Sequence, residues 1–367
     1  MGVLVVISDV YSIEDFESLA SRKLPPAIWE HIAGGSANEH ALRANRSAFE
    51  RFAVYPRALV DCSKGSTALT LFGEHFAHPA LLAPVSFQRL AHPDGELATA
   101  QAASALETGM VLSTLSSVSL EAVARELSTN RWFQLYFQSD RARTLELVRR
   151  AERAGYSALV VTVDAPVTGM QYRAQRAGFR LPADVTAVNL KHSEPATVSL
   201  EPGQSRVFQG AMRTAPGWQN VDWLREQTHL PIILKGLLHR DDVAAAVRHG
   251  IDGVVLSNHG GRTLGNAPAA LAVLPEIRAS VGVDYPLLID GGIRTGSDVF
   301  VSLALGATAV LLGRPQVYAL AVNGAQGVAR MLRILRDELE VTMALAGCTD
   351  LASISPACLL DRQRLEA

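Results

Sequence analysis

His259 lies in the run Ser257-Asn258-His259-Gly260-Gly261-Arg262, directly after a short apolar stretch. A histidine beside a carboxylate has its orientation fixed and its basicity raised, and Asp164, at the end of another apolar stretch, is the candidate partner. Arg262 can fork onto a carboxylate. Tyr136 can hydrogen-bond an oxygen at a reacting carbon, and Lys235 closes a further apolar stretch. Each has a bland alternative: Asp164 as a helix cap, Lys235 as a surface residue, Tyr136 as core, His259 as structural. Five such groups at the ends of apolar runs read better as a proton-transfer centre. A second group is glycine-rich. Asp290-Gly291-Gly292-Ile293-Arg294 and Gly313-Arg314 each follow an apolar run. Glycines let backbone N–H groups approach an anion and arginines hold it bidentately, so this pair of segments reads as a phosphate site rather than as two turns.

The elements that must position these groups are eight short apolar runs: Ala80–Val85, Met110–Ser113, Trp132–Tyr136, Ala158–Val163, Ile232–Lys235, Gly253–Ser257, Pro286–Asp290 and Thr308–Leu312. They are rich in Val, Ile and Leu and too short for buried helices, as strands covered on both faces are. Helical stretches such as Arg141–Ala154, Arg240–Arg248 and Ser297–Leu305 lie between them. Eight alternations predict an α/β fold, a parallel (β/α)8 TIM barrel, in which reactive groups sit at the C-terminal strand ends. Before the barrel, Ser12 with Asp15 three residues on resembles a capping box and predicts two or three short helices. The stretch between Val163 and Pro231 is too long for an ordinary connection and reads as a lid over the barrel mouth. We expect a single domain over 1–367, helical over about 1–77 and barrel over about 78–350.

The chain has 367 residues, with 34 Lys plus Arg against 36 Asp plus Glu, a net charge of −2. That balance carries no footprint for nucleic acid or an anionic membrane. An apolar fraction of 48% against 19% charged residues is that of a core-forming chain. Cys62, Cys348 and Cys358 form no C-x-x-C pair, which argues against a disulfide scaffold and a thiolate zinc site; no metal is expected. The apolar run Val3 to Ile7 is too short for a signal peptide core or a bilayer span, so a soluble cytoplasmic protein is expected.

In this order, the segments SNHGGR (257–262), DGGIRTGSDVFVSLALGA (290–307), GRPQVYAL (313–320), FQLY (133–136), TVDAP (162–166) and AHPDGE (91–96) resemble the FMN-dependent α-hydroxy acid oxidases and dehydrogenases. That family includes glycolate oxidase, lactate oxidase and mandelate dehydrogenase. The similarity runs from about Ile13 to Ser353, and AGGSANEHALRANR and FQRLAHPDGE look most similar to the 4-hydroxymandelate oxidase branch. The resemblance implies FMN as cofactor and an α-hydroxy acid as substrate, oxidised to the 2-oxo acid with oxygen or another acceptor completing the cycle. It implies His259 as base paired with Asp164, Arg262 on the substrate carboxylate and Tyr136 on the substrate oxygen. Lys235 would lie by the flavin N1 and C2 carbonyl. Ser113, Gln134, Thr162 and the backbone of Pro84, Val85 and Ser86 would hold the ring. Ser257 would sit near the ribityl chain with Asp290 on its hydroxyls, and Gly292, Arg294, Gly313 and Arg314 would hold the phosphate. A homo-oligomer, with a tetramer as the form to expect, is also implied.

The substrate shell departs from the family pattern. His31 stands where relatives have Tyr or Phe, and Leu115 where enzymes for short acids often have Trp, which suggests room for an aromatic or bulky side chain. Gln171 stands where relatives have a second substrate-facing arginine, unless Arg173 reaches in from two residues on. Competing readings are another flavin oxidation, such as oxidative decarboxylation or action on an amino or tethered substrate, a dehydrogenase with a non-oxygen acceptor, a flavin binder without turnover, and a barrel that binds a sugar phosphate without flavin.

Overall fold

The computed structural model describes residues 9–128, 130–190 and 199–365. The run Val3 to Ile7 and the middle of the expected lid, 191–198, lie outside them. Eight parallel strands close a barrel: β4 (Ala80–Leu82), β5 (Met110–Ser113), β6 (Arg131–Leu135), β7 (Ala158–Thr162), β8 (Ile232–Leu237), β9 (Gly253–Leu256), β10 (Leu287–Asp290) and β11 (Ala309–Leu312), with β11 pairing β4. All eight predicted runs are barrel strands. Most strand residues are fully buried, because one face meets the barrel interior and the other meets helices.

Leu81, Val111, Val160, Ile233, Val255, Leu288 and Leu311 fill the inside, and their neighbours in sequence pack outward. The hairpin β2 (Leu69–Leu71) and β3 (Glu74–Phe76) plugs the N-terminal mouth. There Phe72 and Phe76 lie 5.7 and 5.9 Å from the ring of Trp132, whose indole N–H donates to Glu74. With that end closed, the C-terminal mouth is left for a ligand.

Among the described residues, three α-helices precede the barrel: α1 (Ile13–Lys23), α2 (Pro26–Ala33) and α3 (His40–Glu50). The predicted capping box is present, with Asp15 N–H donating to the Ser12 hydroxyl at 3.1 Å and Ser12 N–H to the Asp15 carboxylate at 2.9 Å. β1 (Phe52–Val54) pairs antiparallel with β12 (Leu359–Asp361), tying this segment to the chain's other end. The outer helices are α4 (Glu96–Ala105), α5 (Leu120–Glu126), α6 (Arg141–Arg153), α8 (Trp218–Gln227), α9 (Arg240–Arg248), α10 (Ala270–Val281), α11 (Gly296–Ala304) and α12 (Arg314–Ala346), the last broken at Asn323–Gly324. The expected lid carries α7 (Tyr172–Arg176) and short turns over 206–214 before α8. Among the described residues, no helix is long and apolar enough to cross a membrane.

Candidate active site

A cavity of about 680 Å³ opens at the C-terminal strand ends. Its volume is ordinary for a cofactor site with room for a small ligand. Pro84, Val85, Ser86, Ser113, Gln134, Tyr136, Thr162, Lys235, His259, Arg262, Asp290, Gly292, Arg294, Gly313 and Arg314 all line it, as do His31, Leu115 and Gln171. Ala211 and Thr214 to Pro216 of the long connection form part of its wall, so the described part of the expected lid does reach the mouth. Two expected site residues stand behind the wall. Asp164 backs His259, and Ser257 is fully buried. Its hydroxyl accepts from Lys235 Nζ at 2.8 Å and from His259 N–H at 2.9 Å. Ser257 therefore acts as a buttress under two cavity residues, a role its place in the sequence did not indicate.

The His259 ring is held from one side. Its Nδ1 lies 2.9 Å from Asp164 Oδ1, a contact that places the ring proton on Nδ1 and leaves Nε2 as an acceptor. The His259 backbone is in the left-handed region at φ 57°, a strained conformation over-determined by its surroundings. Burial pushes the Asp164 carboxyl up, but the hydrogen bond and charge of His259, with Lys235 nearby, outweigh it and hold the group below its usual value. Asp164 is thus an anion under an imidazole. Burial also acts on Lys235, but Asp290, 2.8 Å away, and Asp164 keep its ammonium above the ordinary value. Burial raises Tyr136 to about 12, so its phenol remains a donor.

Glycine makes this packing possible. A Cβ at Gly236 would lie 2.4 Å from Asp164 Cβ and Cγ, and the residue has φ 109°. Gly236 is also the extra residue of a bulge, since Lys235 pairs with Val255 and Leu237 with Leu256. The bulge lets Asp164 lie against β8 while Lys235 turns into the cavity. Sequence reasoning did not single out Gly236.

The N-terminal helices form one side of the site. Asn45 of α3 and Asn258 exchange side-chain hydrogen bonds at 2.8 Å each way, both buried. A Cβ at Gly292 would meet the Asn45 carbonyl oxygen at 2.0 Å, and one at Gly261 the Leu42 nitrogen at 2.5 Å. The glycines of both loops thus serve helix packing as well as ligand approach. The C-terminal carbonyls of α2, orphaned as at any helix end, are taken by arginines. Arg262 Nη1 donates to His31 and Gly34 carbonyls at 2.7 and 2.9 Å, and Arg314 Nη2 donates to Gly34 at 2.8 Å. Arg314 also donates to Ile32 and Gly260. Both keep further N–H groups beyond these bonds. Burial, then the charge of Arg314, lowers Arg262 to about 10, which leaves it a cation at neutral pH.

The wall that His31 and Gln171 form is less charged. Burial, then Arg262, lowers His31 to about 4, so it is neutral, and it stacks on Phe179 at 3.9 Å. Gln171 Nε2 donates to the Arg262 carbonyl at 2.7 Å, which fixes the amide's orientation and leaves its buried Oε1 without a donor among the described residues. Arg173 is held elsewhere, in ion pairs with Glu30 and Glu39, and does not line the cavity. The alternative in which Arg173 replaces the second guanidinium is therefore not what the structure shows.

The cavity's polar edges suit a flavin mononucleotide. Gln134 Oε1 accepts from Ser113 and from Thr114 N–H at 3.2 Å, so its Nε2 is a buried donor with no protein partner. Asp290 Oδ1 is a buried acceptor in the same condition. Nothing lies within 4 Å of a Cβ built at Gly313, so a side chain there would fill the cradle at the start of α12. Buried groups of this kind are ordinarily satisfied, here by a ligand with a carbonyl, hydroxyls and an anionic end.

The FMN-dependent dehydrogenase family model matches residues 20–361. The chain belongs to that family. An L-lactate oxidase of Alicycliphilus denitrificans is 49% identical over 95% of this chain and 97% of its own. Glycolate oxidase 1 of Oryza sativa subsp. indica is 41% identical, with 96% of each chain covered. A crystal structure of mandelate oxidase with (S)-2-phenylpropionate is 43% identical with a TM-score of 0.86, covering 96% of this chain and 98% of that one. The chain is an FMN-dependent oxidoreductase of the α-hydroxy acid oxidase group.

Proposed function

We propose that the protein oxidises an aromatic or otherwise bulky, mandelate-like α-hydroxy acid to its 2-oxo acid, with oxygen as electron acceptor, as a cytoplasmic homo-oligomer. The observation that carries this reading is His259, ring-locked on Asp164 with Nε2 open to a cavity that also holds Tyr136 and Arg262. The chemistry that FMN would supply there is acceptance of the two electrons that leave the α-carbon. Ser113, Gln134, Thr162, Lys235 and the Pro84–Ser86 backbone would hold its ring, Asp290 its hydroxyls, and Gly292, Arg294, Gly313 and Arg314 its phosphate. His259 Nε2 accepts the proton that the substrate releases, and Asp164 stabilises the resulting imidazolium. Tyr136 donates to the substrate oxygen, and the remaining N–H groups of Arg262 bind the carboxylate. Neutral His31 and apolar Leu115 leave space for a ring. Anaerobic mixing with (S)-mandelate, followed by flavin absorbance and product analysis, tests this; loss of flavin colour with benzoylformate formed supports it, and no reduction counts against it. Sedimentation of the holoenzyme tests the expected tetramer.

Gln171 favours a second reading. Its unpartnered Oε1 suits a donor, and one guanidinium in place of two weakens the demand for a full carboxylate. A substrate with an amide or tethered acyl group would give its carbonyl to Arg262 and its N–H to Gln171. Comparing mandelate with mandelamide separates the two.

A further inference from the structure

Cys348 and Cys358 take no part in the site above and do not line its cavity. The fold nevertheless brings their sulfurs to 3.8 Å. Cys348 follows the left-handed Gly347 that ends α12, and its N–H donates to the Met343 carbonyl at 2.9 Å. Cys358 leads into β12, and its carbonyl accepts from Tyr55 N–H at 2.9 Å. Between them, turns over 351–353 and 356–358 fold the segment back, so both thiols converge on the Ser353 carbonyl at 3.7 and 3.9 Å. Two free thiols held this way, each on an anchored backbone, stand in van der Waals contact and must close from 3.8 Å to the ~2.05 Å of a disulfide.

We propose that Cys348 and Cys358 form a dithiol site that hydrogen peroxide oxidises to a disulfide, tying the end of α12 to β12. The half-buried Cys358 reacts first. Its thiolate attacks one peroxide oxygen, the O–O bond breaks, and the products are a sulfenic acid and, after protonation, water. Cys348 is buried, and its thiol is raised to about 11 by that burial and then by Cys358, so it is a poor peroxide scavenger in its own right. It acts second: its sulfur attacks the Cys358 sulfur, the S–O bond breaks, and its proton leaves with the hydroxide as water. Two thiols and one peroxide thus give one disulfide and two waters. The dithiol chemistry stands on geometry alone; only the idea that turnover itself supplies the peroxide rests on the oxygen-dependent reading above.

The test treats holoenzyme with stoichiometric hydrogen peroxide, alkylates it under denaturing conditions, and maps thiols by peptide mass spectrometry. The expected result is loss of two alkylatable thiols from the three, a 348–358 cross-linked peptide reversed by dithiothreitol, Cys62 still free, and a higher melting temperature. In Cys358→Ser, Cys348 should stay alkylatable after the same dose. Three thiols retained, Cys358 carried to sulfinic acid with Cys348 untouched, or Cys62 found as the partner would each overturn the proposal. Aerobic turnover with an α-hydroxy acid, with and without catalase, is a separate arm. A catalase-sensitive disulfide there supports turnover as the source; no disulfide there, beside one with added peroxide, counts against turnover as the source and leaves the dithiol site standing.

Discussion

At the scale of single residues, what each polar atom is bonded to decides what it can do. His259 gives Nδ1 to Asp164, so only Nε2 is open for proton transfer. His259→Gln should bind FMN as the parent does and be reduced ~10²–10⁴-fold more slowly, the usual cost of losing a general base; stopped-flow reduction measures it, and a rate near the parent's would remove His259 from the role. Tyr136→Phe should keep FMN and alter the rate or product pattern, because a donor to the reacting oxygen strengthens as charge develops; unchanged kinetics and products would count against it. Gln171→Arg should improve efficiency on mandelate roughly tenfold, since a charge-assisted hydrogen bond is worth ~1.5–3 kcal/mol against ~0.5–1.5 for a neutral one. Arg173→Ala should leave the acid's affinity nearly unchanged, because Arg173 is paired to Glu30 and Glu39. The opposite pair of results would mean that the guanidinium reaching the substrate comes from Arg173. That ion pair was not legible in the sequence, for Glu30 and Glu39 lie in the N-terminal segment, far from Arg173 along the chain.

At the scale of elements, the barrel strands were legible because burial on both faces writes each as a short apolar run with its polar residue at one end. The devices between strands were not. Gly236 follows Lys235 with nothing to mark it as a bulge, and its need for a hydrogen side chain comes from Asp164, two residues past the end of the neighbouring strand β7. Gly236→Ala should therefore lose stability by at least ~1–3 kcal/mol, the usual cost of a non-glycine residue in such a backbone region, measured by denaturant melting. It should also slow flavin reduction more than it weakens FMN binding, since Asp164 is the group displaced. A fully stable Gly236→Ala with parent kinetics would show that the bulge does not set the Asp164 position. The clasp of Asn45 on Asn258 was likewise silent in the sequence, because each asparagine alone reads as a helix or turn residue. Only the fold pairs them.

At the scale of the whole molecule, the plugged N-terminal mouth, the helical segment against the glycine loops and the long connection at the rim leave one broad cavity at the reactive strand ends. β1, which follows the helical segment, pairs with β12, so the segment that completes the site is fastened to the segment that carries the cysteine pair. The cavity lining proposed for the flavin was the most legible part, since its glycines, arginines and strand-end polar groups occur in a fixed order and line one cavity. The proposed substrate shell was the least, because its residues come from α2, the loop after β5 and the long connection and acquire meaning only when they face one another. Denaturation of the purified holoenzyme should release FMN and no FAD, because the anion-binding loops provide for a single phosphate; FAD as the only flavin recovered would contradict that. His259 as the base of an α-hydroxy acid oxidase is tested most directly by anaerobic reduction of the bound flavin by a panel of α-hydroxy acids, read beside His259→Gln. An aromatic member should bleach the parent flavin with one 2-oxo acid formed per flavin while the variant stays oxidised; a parent flavin that dithionite reduces but no α-hydroxy acid does would rule that role out.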